Sequence, residues 1–262
     1  KTASASHESD VFSMALIVFE LLSFYHPFVG DNILASDPVE EEAAYRGEKD
    51  YVLKENTKNP ISQKQFIETY LTEKLQQLFR KTFVEGLHDR YSRPTAKSFY
   101  IALYELYDSI VVCSSCAMPY SYEINVDCPR CGNKNEIVLV RIYQEITFRG
   151  RKNNYLVSQK IYDFSRDMIN LEFRNVFGNS EEEGIFASVK ILKDTKSCEF
   201  NLNTKLLSTV QIKNTLTNTR EVWNRSFSFD YENKIVVLFN EQVTIMDDHK
   251  DIVYYVKIEE SK

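Results

Sequence analysis

The chain has 262 residues, enough for one large domain or for two ordinary domains and a small insert, and its 43% hydrophobic residues can supply a sizeable core. A net charge of −6 excludes a general electrostatic attraction for nucleic acid. The longest apolar stretch, Met14 to Leu22, contains Glu20 and is too short to span a bilayer, so we expect no membrane partner.

Residues 1–112 are predicted to be helical. Val11 to Phe24 is apolar on almost every side, which is typical of a helix buried at the centre of a larger unit. Asp10, next to Ser9, precedes it and is a good N-cap residue for such a helix. Residues 26–62 are polar and contain several prolines, so we expect a loop there.

Two more helices are predicted before residue 113. From Phe66 to Phe83 apolar residues recur at helical spacing, and Gly86 is a plausible C-cap. Thr95 to Val112 repeats the pattern, with Pro94 and Thr95 placed as capping rules favour.

Residues 113–135 carry two Cys-x-x-Cys knuckles separated by eleven residues. Their four cysteines are Cys113, Cys116, Cys128 and Cys131. This spacing predicts a tetrahedral zinc site, and four cysteine ligands leave no open position for catalysis, so the role is structural. The alternatives are buried free cysteines or disulfides, but a disulfide framework is typical of small secreted domains. We therefore expect a reducing, cytoplasmic location, with the lone Cys198 as a small core residue.

Residues 136–262 are predicted to be all β. β-branched and aromatic runs alternate with short polar turns, and Phe227, Phe229 and Tyr231 alternate with polar residues as in a half-buried strand. About eight to ten strands without a convincing helix between them favour a sandwich-like, mostly antiparallel domain. The whole chain is thus expected to be a multidomain α+β protein with domains at 1–112, 113–135 and 136–262.

Two segments of the first domain resemble the C-terminal lobe of eukaryotic-type protein kinases. The run SDVFSMALIVFELLSFYHPF, from Ser9 to Phe28, is similar to that lobe's central helix, although Ala15 stands where the family normally has glycine. Leu78 to Ala96 is similar to the lobe's last conserved segment, which ends in Arg-Pro-Thr-Ala. The order of kinase lobe, four-cysteine ribbon and β-rich tail also resembles a group of bacterial serine/threonine kinases with zinc-ribbon C-termini.

The resemblance implies roles for Asp10 and Arg93. Asp10 corresponds to the helix-start aspartate that hydrogen-bonds the backbone of the kinase catalytic loop. Arg93 corresponds to a buried arginine that pairs with a glutamate at the end of the activation segment, while from the residues alone it could be an exposed arginine of a first helical turn.

The elements that bind ATP and perform catalysis are missing from this sequence. It contains no glycine-rich phosphate loop, no strand lysine, no H-R-D-x-x-x-x-N loop and no D-F-G, so no catalytic residue is assigned. We expect the chain to be the C-terminal portion of a longer signalling transferase, with ATP and Mg²⁺ bound only by the intact kinase.

Three functions remain open at this point. In the first, the intact protein phosphorylates serine or threonine in a protein substrate, and the ribbon and β domain regulate it or dock partners. In the second, it is a pseudokinase or adaptor whose β domain binds a protein. In the third, the ribbon binds nucleic acid, but Arg130, Lys134 and Arg141 make a thin basic surface for that role.

Overall fold

The architecture of this chain comes from a computed structural model that describes residues 7–34, 38–164, 166–178, 184–203, 210–223, 226–245 and 248–260. It combines helices with several antiparallel sheets, so the predicted mixture of helix and strand is confirmed. The chain divides into two units, Lys1–Ile110 with Tyr120–Pro129, and Val111–Pro119 with Arg130–Lys262. Within the described ranges, no helix is both long enough and apolar enough to cross a membrane.

Helices dominate the first unit. In chain order they are α1 His7–Ser23, α2 Asp31–Leu34, α3 Pro38–Tyr45, α4 Lys64–Glu68, α5 Glu73–Arg80, α6 Gly86–His88 and α7 Ala96–Ser109. A π-helical turn, Lys81–Glu85, joins α5 to α6, and a 3₁₀ turn, Arg90–Ser92, precedes α7.

Helix α1 passes through the core of this unit, as its apolar sequence predicts. Its buried positions Val11, Ala15 and Phe19 recur every four residues, so they form one stripe along the helix. The Phe19 ring lies 5.2 Å from that of Phe79 and 5.9 Å from that of Phe83, both edge to face. Ser9 and Asp10 lie within α1, His7–Ser23, so the prediction that Asp10 is its N-cap is wrong.

The helix predicted from Phe66 to Phe83 is interrupted. α4 ends at Glu68, and α5 restarts behind Thr72, whose hydroxyl accepts a hydrogen bond from the N–H of Leu75 at 3.4 Å. The apolar spacing continued through this break because Ile67, Leu71 and Leu75 are all buried in the same core. Gly86 is the C-cap of the π-helical turn Lys81–Glu85, as predicted, but its φ of −72° is right-handed helical backbone and the chain continues from it into α6.

The segment 26–62, predicted as a loop, contains α2 and α3 and is organised by one buried amide. Asn59 accepts a hydrogen bond from the N–H of Gly30 at 2.9 Å. Its Nδ2 donates to the carbonyl oxygens of Phe28 and Asp50 at 2.7 and 2.9 Å. Three distant stretches of chain are therefore fastened together by a single side chain.

The last helix begins where the sequence predicts. Thr95 is the N-cap of α7, and its hydroxyl accepts a hydrogen bond from the N–H of Ser98 at 3.2 Å. The helix ends at Ser109 and not at Val112, because the chain becomes extended at Ile110 and enters the first strand.

The described residues form twelve strands, of which ten follow residue 136. They are β1 Ile110–Val112, β2 Pro119–Ser121, β3 Ile137–Phe148, β4 Arg151–Asp163, β5 Ile169–Glu172, β6 Ile185–Leu192, β7 Ser197–Leu202, β8 Val210–Asn214, β9 Arg220–Trp223, β10 Ser226–Asp230, β11 Lys234–Ile245 and β12 Asp248–Glu260. Contrary to expectation, a short helix, α8 Phe173–Phe177, lies between β5 and β6.

The strands form three sheets. β1 and β2 make a small two-stranded sheet. A four-stranded sheet has the order β10-β7-β6-β5, and a six-stranded sheet has the order β4-β3-β12-β11-β8-β9. All neighbours in the two larger sheets are antiparallel, so the predicted antiparallel arrangement is confirmed.

Side chains from both larger sheets share one buried core. Phe186 and Phe200 come from the four-stranded sheet, and Val140 and Val256 from the six-stranded one. The predicted alternation is present in β10, where Phe227 and Phe229 are buried and their neighbours are exposed. Cys198 is fully buried in this core, as expected, and burial raises the pKa of its thiol.

Candidate metal centre

The four cysteines singled out in the sequence lie together in space. Each offers one sulfur, and all four sulfurs are within 4.8 Å of one another. The Sγ atoms of Cys113 and Cys131 are 3.6 Å apart, and none of the cysteines is in a disulfide. Sulfurs bound tetrahedrally to zinc at about 2.3 Å are separated by about 3.8 Å. The cluster therefore fits a tetrahedral ion and could hold a metal such as zinc.

The first knuckle is shaped by its own backbone. The N–H of Cys113 donates to the carbonyl oxygen of Met118 at 2.9 Å, and the N–H of Ala117 donates to the carbonyl oxygen of Cys113 at 2.9 Å. These two bonds close a tight turn around Cys116 and bring its sulfur back beside that of Cys113. The second knuckle uses Pro129 and Gly132 for the same purpose.

The environment of Cys113 favours the thiolate, the form that binds metal. A hydrogen bond from the N–H of Cys116 is the largest influence, and the N–H of Ser115 and the Cys131 side chain act in the same direction against burial. Together they lower the pKa of the Cys113 thiol to about 6. The first knuckle is thus polarised to carry negative sulfur.

Asn135 supports the first knuckle from outside the cluster. Its Oδ1 accepts hydrogen bonds from the N–H and the hydroxyl of Ser114, both at 3.0 Å. Its Nδ2 donates to the carbonyl oxygen of Val112 at 3.0 Å, and the N–H of Val112 donates to the buried carboxylate of Asp163 at 3.1 Å. Neither Asn135 nor Asp163 was predicted, and the one signal in the sequence is the position of Asn135, four residues after Cys131.

The segment between the two knuckles is fixed to the helical unit. The hydroxyls of Ser109 and Ser121 are 2.8 Å apart, and the N–H of Tyr122 donates to the carbonyl oxygen of Ser109 at 3.0 Å. Asn125 donates through Nδ2 to the carbonyl oxygen of Thr69 at 2.8 Å. These bonds hold residues 120–129 against the ends of α7 and α4.

Four thiolates complete a tetrahedral coordination sphere, so chemistry at this centre is limited to holding an ion. Catalytic zinc sites instead keep a position for water or substrate. Cys113 and Cys128 are buried, Cys116 is half-buried and Cys131 is exposed, so the cluster lies near the protein surface.

Arg93 and Asp10, the two residues given roles by the kinase resemblance, lie in different settings. Arg93 donates through Nε to the carbonyl oxygen of Gly86 at 2.7 Å and through Nη1 to that of Glu8 at 2.8 Å. Its guanidinium carbon lies 4.5 Å from the centre of the Phe12 ring. Burial, and then the charge of Arg90, lower the pKa of Arg93. Asp10 is exposed in the first turn of α1.

A polar cleft of about 530 Å³ also lies in the helical unit. It is lined by Glu68, Leu71, Thr72, Glu73, Lys74, Gln76, Glu105, Glu123 and Ile124. Lys74 donates to both carboxylate oxygens of Glu105 at 2.7 Å, so its charge is matched. Glu123 is half-buried, and burial followed by the charge of Glu105 raises its pKa.

Compared with known proteins, the chain matches no protein-family model, and neither a curated protein nor a solved structure matches it.

Proposed function

We propose that this chain is the C-terminal portion of a serine/threonine protein kinase, whose intact form transfers phosphoryl groups from ATP to a protein. The observation that carries the proposal is the contact between the two kinase-like segments, Ser9 to Phe28 and Leu78 to Ala96. The ring of Phe12 lies 5.7 Å from that of Phe83, edge to face. The guanidinium of Arg93, from the second segment, stacks over the ring of Phe12, from the first.

This contact supports the proposal because the two segments were recognised independently of each other. One is helix α1, and the other runs from α5 to the start of α7, so nothing in their local sequence requires them to meet. In the structure, Phe19 and Phe83 belong to one buried core, and Arg93 fastens the start of α1 to Gly86 through backbone carbonyl oxygens. In the intact kinase this unit would be part of the substrate-side lobe, with Asp10 at the start of its central helix.

The remaining parts take non-catalytic roles in this proposal. The four-cysteine cluster holds one structural zinc, because four thiolates leave no position for a reacting water. The β-rich residues form a sandwich-like domain that docks a protein partner or substrate. Support for this comes from the exposed residues Arg151–Leu156 of β4 and Arg220–Trp223 of β9, which lie outside the core shared by the two sheets.

Phosphotransfer by the chain alone and by the longer protein tests the proposal. The 262 residues, incubated with labelled ATP, Mg²⁺ and a generic acceptor protein, are expected to transfer no phosphate, whereas the longer protein transfers it. Robust transfer by the chain alone would contradict the assignment. An upstream sequence lacking the strand lysine, H-R-D and D-F-G would instead support a pseudokinase or adaptor.

The docking role has its own test. Removal of residues 137–262 from the longer protein is expected to abolish partner retention in a pull-down while the kinase lobe stays folded. If partners are retained and only stability falls, the β-rich residues act as a brace.

A further inference from the structure

Strand β4 leaves one edge of the six-stranded sheet open. β4 pairs with β3 on one side, and it is the first strand in the sheet order, so no described strand pairs with its other side. The residues Arg151–Leu156 are all exposed. A free edge of this kind presents unpaired N–H and C=O groups that can accept another strand.

The exposed half of β4 is bounded by the short helix α8. Helix α8 packs beside the later residues of the strand, where the hydroxyl of Ser158 donates to the carbonyl oxygen of Asn175 at 2.7 Å. From Val157 onward the side chains of β4 become progressively buried. The open stretch is therefore residues 151–156, about one short strand in length.

This stretch is already held in an extended conformation. β3 and β4 are joined by a two-residue turn, Arg149 and Gly150, whose φ angles of 49° and 75° are typical of a type I′ hairpin. Arg149 donates through Nε to the carboxylate of Asp248 at 2.7 Å, which ties the turn to β12. β12 also pairs with β3 along its length. The backbone of β4 is therefore already extended, and an added strand would not have to order it.

Backbone geometry gives this edge its hydrogen-bonding capacity. In an antiparallel pair, every second residue directs both its N–H and its C=O away from the neighbouring strand. Half of residues 151–156 therefore offer both groups to solvent, which is the pattern that strand addition uses.

The exposed side chains of residues 151–156 indicate what charge a strand that pairs with β4 would carry. Arg151 is exposed and makes no ion pair within the described residues, and Lys152 is exposed with one partner, Glu145, at 2.7 Å. Tyr155 and Leu156 follow, with exposed fractions of 52% and 53%. Because side chains alternate along a strand, each face of β4 carries one cation and one apolar group. These two cations repel a basic strand and attract an acidic one.

We propose that residues 151–156 of β4 bind an extended peptide with acidic and apolar residues, which adds to the sheet as a seventh strand. Arg151 and Lys152 pair with the acidic residues, and Tyr155 and Leu156 cover the apolar ones. This inference deepens the docking role proposed above for the β-rich residues and rests on it.

The binding experiment uses the full chain and a fluorescein-labelled peptide in which paired glutamates alternate with paired valines. Fluorescence anisotropy is expected to show saturable binding, weakened at least about tenfold by the double variant Arg151→Glu with Lys152→Glu. The matched control is Lys213→Glu with Arg220→Glu, which makes the same change in net charge at β8 and β9, the opposite edge of the sheet. This control is expected to bind the peptide normally.

Several results would overturn the inference. One is equal weakening in both double variants, which would mean long-range attraction. Another is undiminished binding of a peptide N-methylated at alternate residues, because strand addition needs its N–H groups. The third is no binding of the acidic peptide, or tighter binding of a lysine-containing peptide or a single-stranded oligonucleotide. The Arg151 and Lys152 variant could also bind the peptide normally while partner capture still depends on residues 137–262. That result would refute the assignment of this edge but not the docking role of the β-rich residues.

Discussion

Ala117 and Gly132 occupy the same position in the two knuckles, directly after the second cysteine, and both have left-handed backbone, with φ of 58° and 71°. Such a φ costs a residue with a Cβ about 1–2 kcal/mol, but glycine adopts it freely. The first knuckle thus contains strain that the second avoids.

Ala117→Gly is therefore expected to stabilise the zinc-loaded protein by about 0.5 kcal/mol, since the relieved strain exceeds the entropy that glycine adds to the unfolded chain. Gly132→Ala should destabilise it by about 1 kcal/mol. A Cβ at Gly132 would meet no atom within 4 Å, so this cost comes from the backbone alone. Urea unfolding measures both changes. If Ala117→Gly destabilises the protein, Ala117 does not have left-handed backbone in solution.

The four-cysteine cluster is expected to bind about one zinc per chain, measured by elemental analysis of protein purified without chelator. Cys113→Ser and Cys128→Ser should each lose the metal and lower the melting temperature, because zinc binding in such knuckles contributes on the order of 10 kcal/mol to folding. Cys198→Ala is the control, since this thiol is buried in the β core, away from the cluster. A folded, metal-free protein with a Cys113–Cys116 disulfide would contradict the prediction.

The hydroxyl of Tyr51 is buried without a hydrogen-bond partner among the described residues. Burial raises the pKa of this phenol well above its ordinary value, as an unpaired buried group requires. Tyr51→Phe removes the unsatisfied donor and is expected to stabilise the protein by about 1 kcal/mol in chemical unfolding.

Tyr70→Phe is the matched control in the same helical unit. The Tyr70 hydroxyl donates to the carbonyl oxygen of Leu22 at 2.8 Å, so its removal should cost about 1 kcal/mol. Equal destabilisation by the two substitutions would show that the Tyr51 hydroxyl has a partner in solution.

Glu123 should make stability depend on pH. Its pKa is raised above 4.5 in the folded protein, so the folded state binds this proton more tightly than the unfolded state does. Stability from this group is present when the carboxyl is protonated and is lost as pH rises through the raised pKa. Glu123→Gln is therefore expected to be more stable than the parent at about pH 7, with the difference shrinking towards about pH 4.

Glu55→Gln is the control for this measurement, because Glu55 is exposed in the segment 50–62. Its effect on urea unfolding should be small, because this side chain is exposed. If Glu123→Gln behaves in the same way, the burial of Glu123 does not persist in solution.

Sequence patterns predicted those parts of the fold that depend on residues close together along the chain. Thr95 caps α7 because its hydroxyl reaches an N–H three residues away, and β10 alternates because the period of a strand is two. The four cysteines could be recognised for the same reason, since two residues between a pair suffice to turn both sulfurs to one side. The kinase resemblance itself stays a prediction.

What sequence could not predict depends on contacts across the chain. Asn135 supports Ser114 from 21 residues away, and Asn59 organises Gly30 from 29 residues away. Neither asparagine carries a local pattern that distinguishes it from a surface residue. The break between α4 and α5 was missed because burial of Leu71 maintains the apolar period through a stretch that is not helical.

Gly30 cannot take a side chain even if Asn59 is replaced by a smaller residue. A Cβ on Gly30 would lie 2.3 Å from the Oδ1 of Asn59 and 2.7 Å from the carbonyl oxygens of Asn59 and Pro60. Because two of these three atoms belong to the main chain, a smaller side chain at position 59 does not make room at position 30. Loss of the amide, in turn, would leave the groups it joins without their partner. Sequence drift through single substitutions is therefore blocked at this pair, and a relative with a side chain at position 30 must have rebuilt the loop that contains position 59.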